Sequence, residues 1–325
     1  MITDPESPSQ PAELVFVGGT GRSGTHIVSY LLNRHSRFYG VPIECRFHCN
    51  PNGLADVVMG RTEPDDFLVK LRGYWWHRVR IRDRAYVKAK WRALGRGQVR
   101  GLHTIVGRER FAAAADRFEA EYPADLLAAS RNLFYDLLRP LATEAGKPAV
   151  VEMSCFTIAA ADGLARIFPE ARFVHSVRDG RDSGASKVSL RAKPHHPTDV
   201  SSGIEFWADR LRQAERGVRG LDPADRGRLR VISLDELVWS DREGAYGELC
   251  EFLGISDEPA MHEFFDAEMS ADAAHRERWR KGLDADEQAE IVRRYEAALE
   301  RLEAEDYHCA PVLRRSYERE RALAG

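Results

Sequence analysis

No uninterrupted apolar stretch in the 325 residues approaches the ~20 needed to cross a bilayer, which excludes a membrane-spanning helix. Cysteine is scarce. The five residues Cys45, Cys49, Cys155, Cys250 and Cys309 are odd in number and scattered, a pattern that excludes a disulfide scaffold and suits a reducing cytoplasm. An excess of one charge is lacking too: 48 Lys and Arg against 51 Asp and Glu leave a net −3, which argues against a general nucleic-acid binder. Residues Met1–Glu13 hold neither a basic start nor an apolar core, so they read as a disordered tail and not as a signal peptide. Internal repeats and low-complexity tracts are absent. With 43% hydrophobic and 30% charged residues, the balance is that of a soluble globular protein, here expected in the cytoplasm.

What is present alternates. Leu14–Val17 is a short apolar run that ends in glycines and predicts a buried parallel strand, and Thr25–Arg34 carries Ile27, Val28, Leu31 and Leu32 at helical spacing. Further strands are predicted at Pro148–Met153, Ala171–Val177 and Arg228–Leu234. Helices are predicted at Arg108–Leu141, Gly163–Phe168, Ser201–Gly217, Tyr246–Leu253 (with Gly254 as its C-terminal cap) and Asp284–Glu305. The fold class is therefore α/β, a mainly parallel sheet with helices on both faces. One domain over 14–325 is expected, with a helical, acceptor-binding insertion at about 51–145, where the strand-helix pattern is interrupted.

Between the first strand and helix lies Gly18-Gly19-Thr20-Gly21-Arg22-Ser23-Gly24-Thr25. Glycines let successive N–H groups converge, and the helix N-terminus adds partial positive charge, so this loop predicts a phosphate site. Gly19 and Gly24 have the separation of a nucleotide-triphosphatase loop, but Thr25-His26 stands where Lys-Ser/Thr should follow. Arg22 is the loop's one cation. The strand that ends at Arg178-Asp179 has an arginine beside its acid, which disfavours Mg²⁺ there. A metal-free phosphate site neutralised by Arg22 follows. Cys45-x₃-Cys49 with His48 lacks a second ligand pair and does not make a zinc site.

Arg22-Ser23-Gly24-Thr25 after an apolar strand resembles the 5′-phosphosulfate loop of sulfotransferases that use 3′-phosphoadenosine 5′-phosphosulfate, in a bacterial-type, P-loop-like version of that fold. Phe168-Pro169-Glu170-Ala171-Arg172-Phe173-Val174, followed by Ser176-Val177-Arg178-Asp179-Gly180-Arg181-Asp182 and Ser186, is similar to the family's second region. There an Arg and a Ser eight positions later grip the 3′-phosphate, a spacing kept by Arg178 and Ser186. Val231–Leu237 with Cys250–Gly254 resembles a later strand and helix, with Leu234 in place of the usual Tyr. Arg278-Trp279-Arg280-Lys281 resembles the basic-aromatic loop that closes over the nucleotide. The resemblance implies sulfuryl transfer from that donor to a hydroxyl of a small-molecule, carbohydrate or lipid-linked acceptor, with adenosine 3′,5′-bisphosphate as product and no metal. It assigns Gly21, Arg22, Ser23, Gly24, Thr25, His26, Arg178, Ser186, Trp279 and Arg280 to the donor. A small-metabolite kinase and a non-enzymatic nucleotide-binding protein are the alternatives.

A hydroxyl acceptor benefits from a general base. Glu44 is the first candidate, because the next strand should bring Pro42–Arg46 beside the loop, and the stretch resembles the segment of protein-tyrosine sulfotransferases that carries their Glu. The alternative for Glu44 is a structural pair with Arg46; His48 and His103 are the other candidates for the base, and Glu152 is a site-lining residue. Arg78, Arg80, Arg82, Arg84, Lys88, Lys90, Arg92, Arg96 and Arg100 face a single acid, Asp83, across 77–100. This run is either a solvated face or a surface for an anionic or lipid-linked acceptor at a membrane. Nucleic acid is not an expected partner, and the oligomeric state is open.

Overall fold

The computed structural model describes residues 12–77, 101–189 and 197–324. The basic run 78–100 and most of the N-terminal tail lie outside them. In chain order the main elements are β1 (Leu14–Gly19), α1 (Thr25–Arg34), β2 (Phe38–Gly40), α2 (Leu54–Val58), α3 (Pro64–Lys70), α4 (Arg108–Glu121), α5 (Leu126–Glu144), β3 (Ala149–Met153), α6 (Ala161–Ile167), β4 (Arg172–Val177), α7 (Gly180–Val188), α8 (Val200–Arg219), β5 (Leu229–Ser233), α9 (Arg242–Leu253), α10 (Pro259–Glu268), α11 (Ala285–Ala304) and α12 (Ala310–Ala324).

The five strands form one parallel sheet in the order β2-β3-β1-β4-β5. Alternation along β1 explains why both faces are covered. Leu14 and Phe16 point to one side and pack with α5, whose Phe134 ring lies 5.6 Å from Phe16. Val15 and Val17 point to the other and pack with α1, α9 and α10. A third core joins Val177, Trp207, Trp279, Tyr295 and Leu313 under the C-terminal helices. The C-terminal half of the expected insertion thus forms one layer of the main core: α5 covers the sheet directly.

The expected tail stops short of Glu13. Ala12 is buried and donates its N–H to the carbonyl of Leu253, and the Glu13 carbonyl accepts from Val150. Gly254 is in the left-handed conformation (φ 63°) and caps α9, and α11 begins with a capping box between Asp284 and Glu287. Among the described residues no helix is long and apolar enough to cross a membrane.

With β1 central, the chain first leaves toward β2 and β3 and then returns to β4 and β5. The carboxyl ends of β1 and β4 therefore flank the point where the connections diverge, the usual place for a ligand crevice in such a sheet. Gly19 and Ser176 are registered side by side there.

Candidate functional site

The loop after β1 turns through a run of left-handed residues: Gly21 (φ 75°), Arg22 (φ 71°) and Gly24 (φ 88°). Such a run aims backbone N–H groups to one side and makes an anion cradle. Gly24 is also the N-cap of α1 and carries no side-chain cap, so the first-turn N–H groups of that helix open onto the same side. A side chain is excluded at Gly24 on a second ground, since its Cβ would lie 2.8 Å from Leu234 Cδ1. Leu234, where the resembled family has Tyr, supports the loop from beneath. Ser176 Oγ donates to the Ser23 carbonyl at 2.5 Å and ties the loop to β4, while the buried Ser23 hydroxyl itself has no hydrogen-bond partner.

The second motif meets this loop. The side chain of Asp179 caps α7 by accepting from the N–H groups of Arg181 and Asp182, and α7 delivers Ser186 toward Arg22. Arg22 Nε donates to Ser186 Oγ at 2.8 Å, and Arg278 Nη1 reaches the same oxygen at 3.2 Å. Neither Arg22 nor Arg278 has a carboxylate ion-pair partner among the described residues. Burial, followed by repulsion from Arg278 and Arg178, lowers the Arg22 pKa from its ordinary value. Two guanidiniums therefore share one hydroxyl beside an anion cradle, with Arg178 near enough to repel Arg22.

Arg178 is buried and not part of a surface ion pair. Its Nη2 donates to the Ala274 carbonyl at 2.7 Å and lies 3.5 Å from Asp182, while Nε is 4.0 Å from Asp235 and has no hydrogen-bond partner. Burial, with Asp179 close by, pushes the Asp235 carboxyl up from its ordinary value. The orphaned Ser23 hydroxyl, the orphaned Arg178 Nε and the carboxylate-free Arg22 and Arg278 fit a ligand that carries more than one phosphate-like group.

Two of the expected donor residues are placed differently. Trp279 is 1% exposed and belongs to the third core, where it packs over the Arg181 guanidinium. It is a core residue, not a cover over the nucleotide. Arg280 turns outward to Glu277 and Gln288. Its neighbour two positions earlier, Arg278, is the one that reaches Ser186. The signal was in the sequence, since both arginines flank Trp279, but spacing alone does not say which of them turns inward. His26 lies in the first turn of α1, half-buried, with its ring edge-on to Tyr30 at 6.2 Å. Thr25 is buried at the same helix start.

Glu44 is buried and held twice: Arg46 pairs with Oε2, and the Cys155 thiol donates to Oε1 at 2.8 Å. The pair with Arg46, expected as the structural alternative, is formed. Cys155 also lies close to the loop, since a Cβ on Gly21 would sit 3.7 Å from its sulfur. Burial and then Glu44 push the thiol up to about 12, so it stays protonated and remains a donor. The other base candidates are elsewhere. His48 is fully buried among Phe16, Phe47 and Phe134 and pairs with Glu152 at 2.9 Å. Glu152, expected as site lining, is fully buried and accepts from the Cys45 N–H and the Ser154 hydroxyl, so it anchors the Glu44 segment from below. His103 Nδ1 bonds the Trp76 carbonyl at 2.7 Å and packs against Trp76 and His77. Among the described residues no three His, Cys, Asp or Glu side chains come together so as to hold a metal.

Residues 14–259 match a family model described as the sulfotransferase family. The loop that carries Arg278 lies beyond the matched stretch. No curated protein matches the chain significantly. Among solved structures, the chain is similar to the sulfotransferase domain from the Synechococcus PCC 7002 olefin synthase, at 16% identity over 91% of this chain and 98% of that one, with a TM-score of 0.46. It is also similar to the sulfotransferase STF9 from Mycobacterium avium, at 15% identity over 88% of this chain and 76% of that one, with a TM-score of 0.41.

Proposed function

The chain belongs to the sulfotransferase family, and from that premise we propose that it moves a sulfuryl group from 3′-phosphoadenosine 5′-phosphosulfate to a hydroxyl of a small-molecule, carbohydrate or lipid-linked acceptor. The observation that carries the donor assignment is the convergence of Arg22, Arg278 and Ser186, with Arg178 beside them, next to the left-handed loop. A donor with a phosphosulfate at one end and a phosphate at the other supplies the negative charge that Arg22 and Arg278 lack among the described residues.

The bound donor supplies the sulfuryl group and its leaving phosphate. In this reading the loop N–H groups and Arg22 hold the 5′ end, and Arg178, Ser186 and Arg278 hold the 3′-phosphate. Negative charge grows on the bridging oxygen as the S–O bond breaks, and Arg22 is the residue set to stabilise it. Fixed donors in a partly desolvated site do this without reorganisation, so the protein contributes positioning and charge more than covalent chemistry. Glu44 is our candidate for the base that takes the acceptor proton. Cys155 and Arg46 orient it, and the Cys155 contact with Gly21 puts it on the loop's flank.

A thermal-shift comparison tests the donor assignment against the kinase alternative. Adenosine 3′,5′-bisphosphate should raise the melting temperature without added metal, and ATP or GTP with Mg²⁺ should raise it less. Stronger stabilisation by a magnesium nucleotide would overturn the reading.

A further inference from the structure

Beyond the donor cluster, a second group of cations collects on the flank where Cys155 and Glu44 lie. Arg210, on α8, is half-buried, and its guanidinium lies 4.6 Å from the Phe156 ring and 5.0 Å from the Phe206 ring. Among the described residues it has no carboxylate ion-pair partner; Nη1 donates to the neutral Gln213 amide at 2.9 Å. Lys187, at the end of the helix that delivers Ser186, sits over the other contact of this group, 4.7 Å from the Phe206 ring. Arg46 is close enough to repel Arg210. Burial first, and Arg46 among the smaller influences, lowers the Arg210 pKa, while Cys155 and Asp209 act the other way. Phe156 follows Cys155 directly, so Arg210 is one residue removed from the thiol that binds Glu44.

The placement of Arg210 has a cost that no carboxylate ion pair among the described residues offsets. A guanidinium between two rings has lost part of its water, and a second cation nearby raises the cost further. An arginine stacked in this way still presents its planar edge, the geometry that takes a carboxylate or a phosphate ester in two parallel hydrogen bonds. The aromatic rings beside it favour an apolar body.

We propose that Arg210, walled by Phe156 and Phe206, is a specificity-determining residue of the acceptor site, and that the acceptor carries an anionic group on an apolar body within reach of its reacting hydroxyl. This rests on the sulfuryl-transfer reading above. It differs from a role for the basic run 78–100, since it is built on α8 and the segment after β3.

The test is calorimetric titration of the full chain saturated with adenosine 3′,5′-bisphosphate, which fills the donor cluster first. The probes are 4-hydroxyphenylacetate, 4-hydroxyphenyl phosphate and the neutral 4-hydroxyphenylacetamide. At least one of the two anions should bind about tenfold or more tightly than the amide, as a charge-assisted hydrogen-bond pair would give. Which anion leads separates a carboxylate from a phosphate ester. Arg210→Gln should erase the preference and Arg210→Lys should keep part of it. Undiminished affinity for the bisphosphate in both variants would show that they fold. Equal binding of anions and amide, absence of binding by all three, or a preference that survives Arg210→Gln overturns the proposal. Failure of the bisphosphate itself to bind wild-type protein would instead sink the donor reading.

Discussion

Arg22 holds a left-handed backbone (φ 71°) that costs a residue with a Cβ roughly 1–2 kcal/mol. Its side chain is the loop's one cation and lies on Ser186, so the strained residue is also the one that joins the two motifs. That meeting was legible from Arg22-Ser23-Gly24-Thr25 and from the eight-residue step between Arg178 and Ser186. The inward turn of Arg278 was not, because the short turn that carries Arg278-Trp279-Arg280 spends its buried position on the indole and splits the two guanidiniums to opposite sides. Nor was the burial of His48, which sequence shows only as one histidine after Phe47. Glu44 is the sharpest test at this scale. Glu44→Gln keeps volume and hydrogen-bonding reach but cannot accept a proton at neutral pH. If Glu44 is the base, kcat should fall ~10²–10⁴-fold with donor affinity kept. Initial rates at saturating donor and acceptor decide it: kcat within a fewfold of wild type would reduce Glu44 to the structural partner of Arg46.

The element that positions Ser186 is α7, and sequence gave little sign of it. Gly180–Val188 holds two glycines and two serines, poor helix formers. It is helical because Asp179 caps it and because Gly184 lets it press against α8 at Gly203. A Cβ on Gly203 would sit 2.6 Å from the Gly184 Cα, backbone that cannot swing aside. The two helices approach that closely only because both positions are bare. Gly203→Ala should push α7 off α8, lower the melting temperature and weaken adenosine 3′,5′-bisphosphate binding through the displaced Ser186. Thermal shift with and without that nucleotide measures both effects, and unchanged affinity would show that α7 does not set the Ser186 position. The strands with apolar runs and the long amphipathic helices were readable from their periods. The three-residue β2 was not, since Phe38–Gly40 is too short to display a period and is a strand only because β3 pairs with it.

Across the whole molecule, one parallel sheet brings residues from opposite ends of the chain to the carboxyl edges of β1 and β4, and a buried ion pair sits beneath that edge. His48 and Glu152 are both fully buried. Burial alone would lower the imidazole pKa, but Cys49 and Glu152 outweigh it and raise it from 6.5 to about 10. A pKa raised on folding adds stability that is full below the unfolded value of 6.5 and is lost as pH climbs through about 10. Urea unfolding at pH 7 and pH 10 should therefore show a drop that the double variant His48→Leu, Glu152→Gln lacks, and an equal drop in both proteins would contradict the assignment. The site above this pair was legible as a phosphate loop and a second motif about 150 residues later, but the acceptor flank was not, because its aromatic and cationic parts come from segments that only the fold brings together. The central claim is that Arg22, Arg178, Ser186 and Arg278 form one site for a nucleotide with phosphates at both 3′ and 5′ positions. Calorimetric titration of wild type and Arg178→Ala with adenosine 3′,5′-bisphosphate and with 5′-AMP tests it most directly. Wild type should prefer the bisphosphate by about tenfold or more, as charged hydrogen bonds worth ~1.5–3 kcal/mol require, and Arg178→Ala should lose most of that preference. Equal affinity of wild type for the two nucleotides would contradict it.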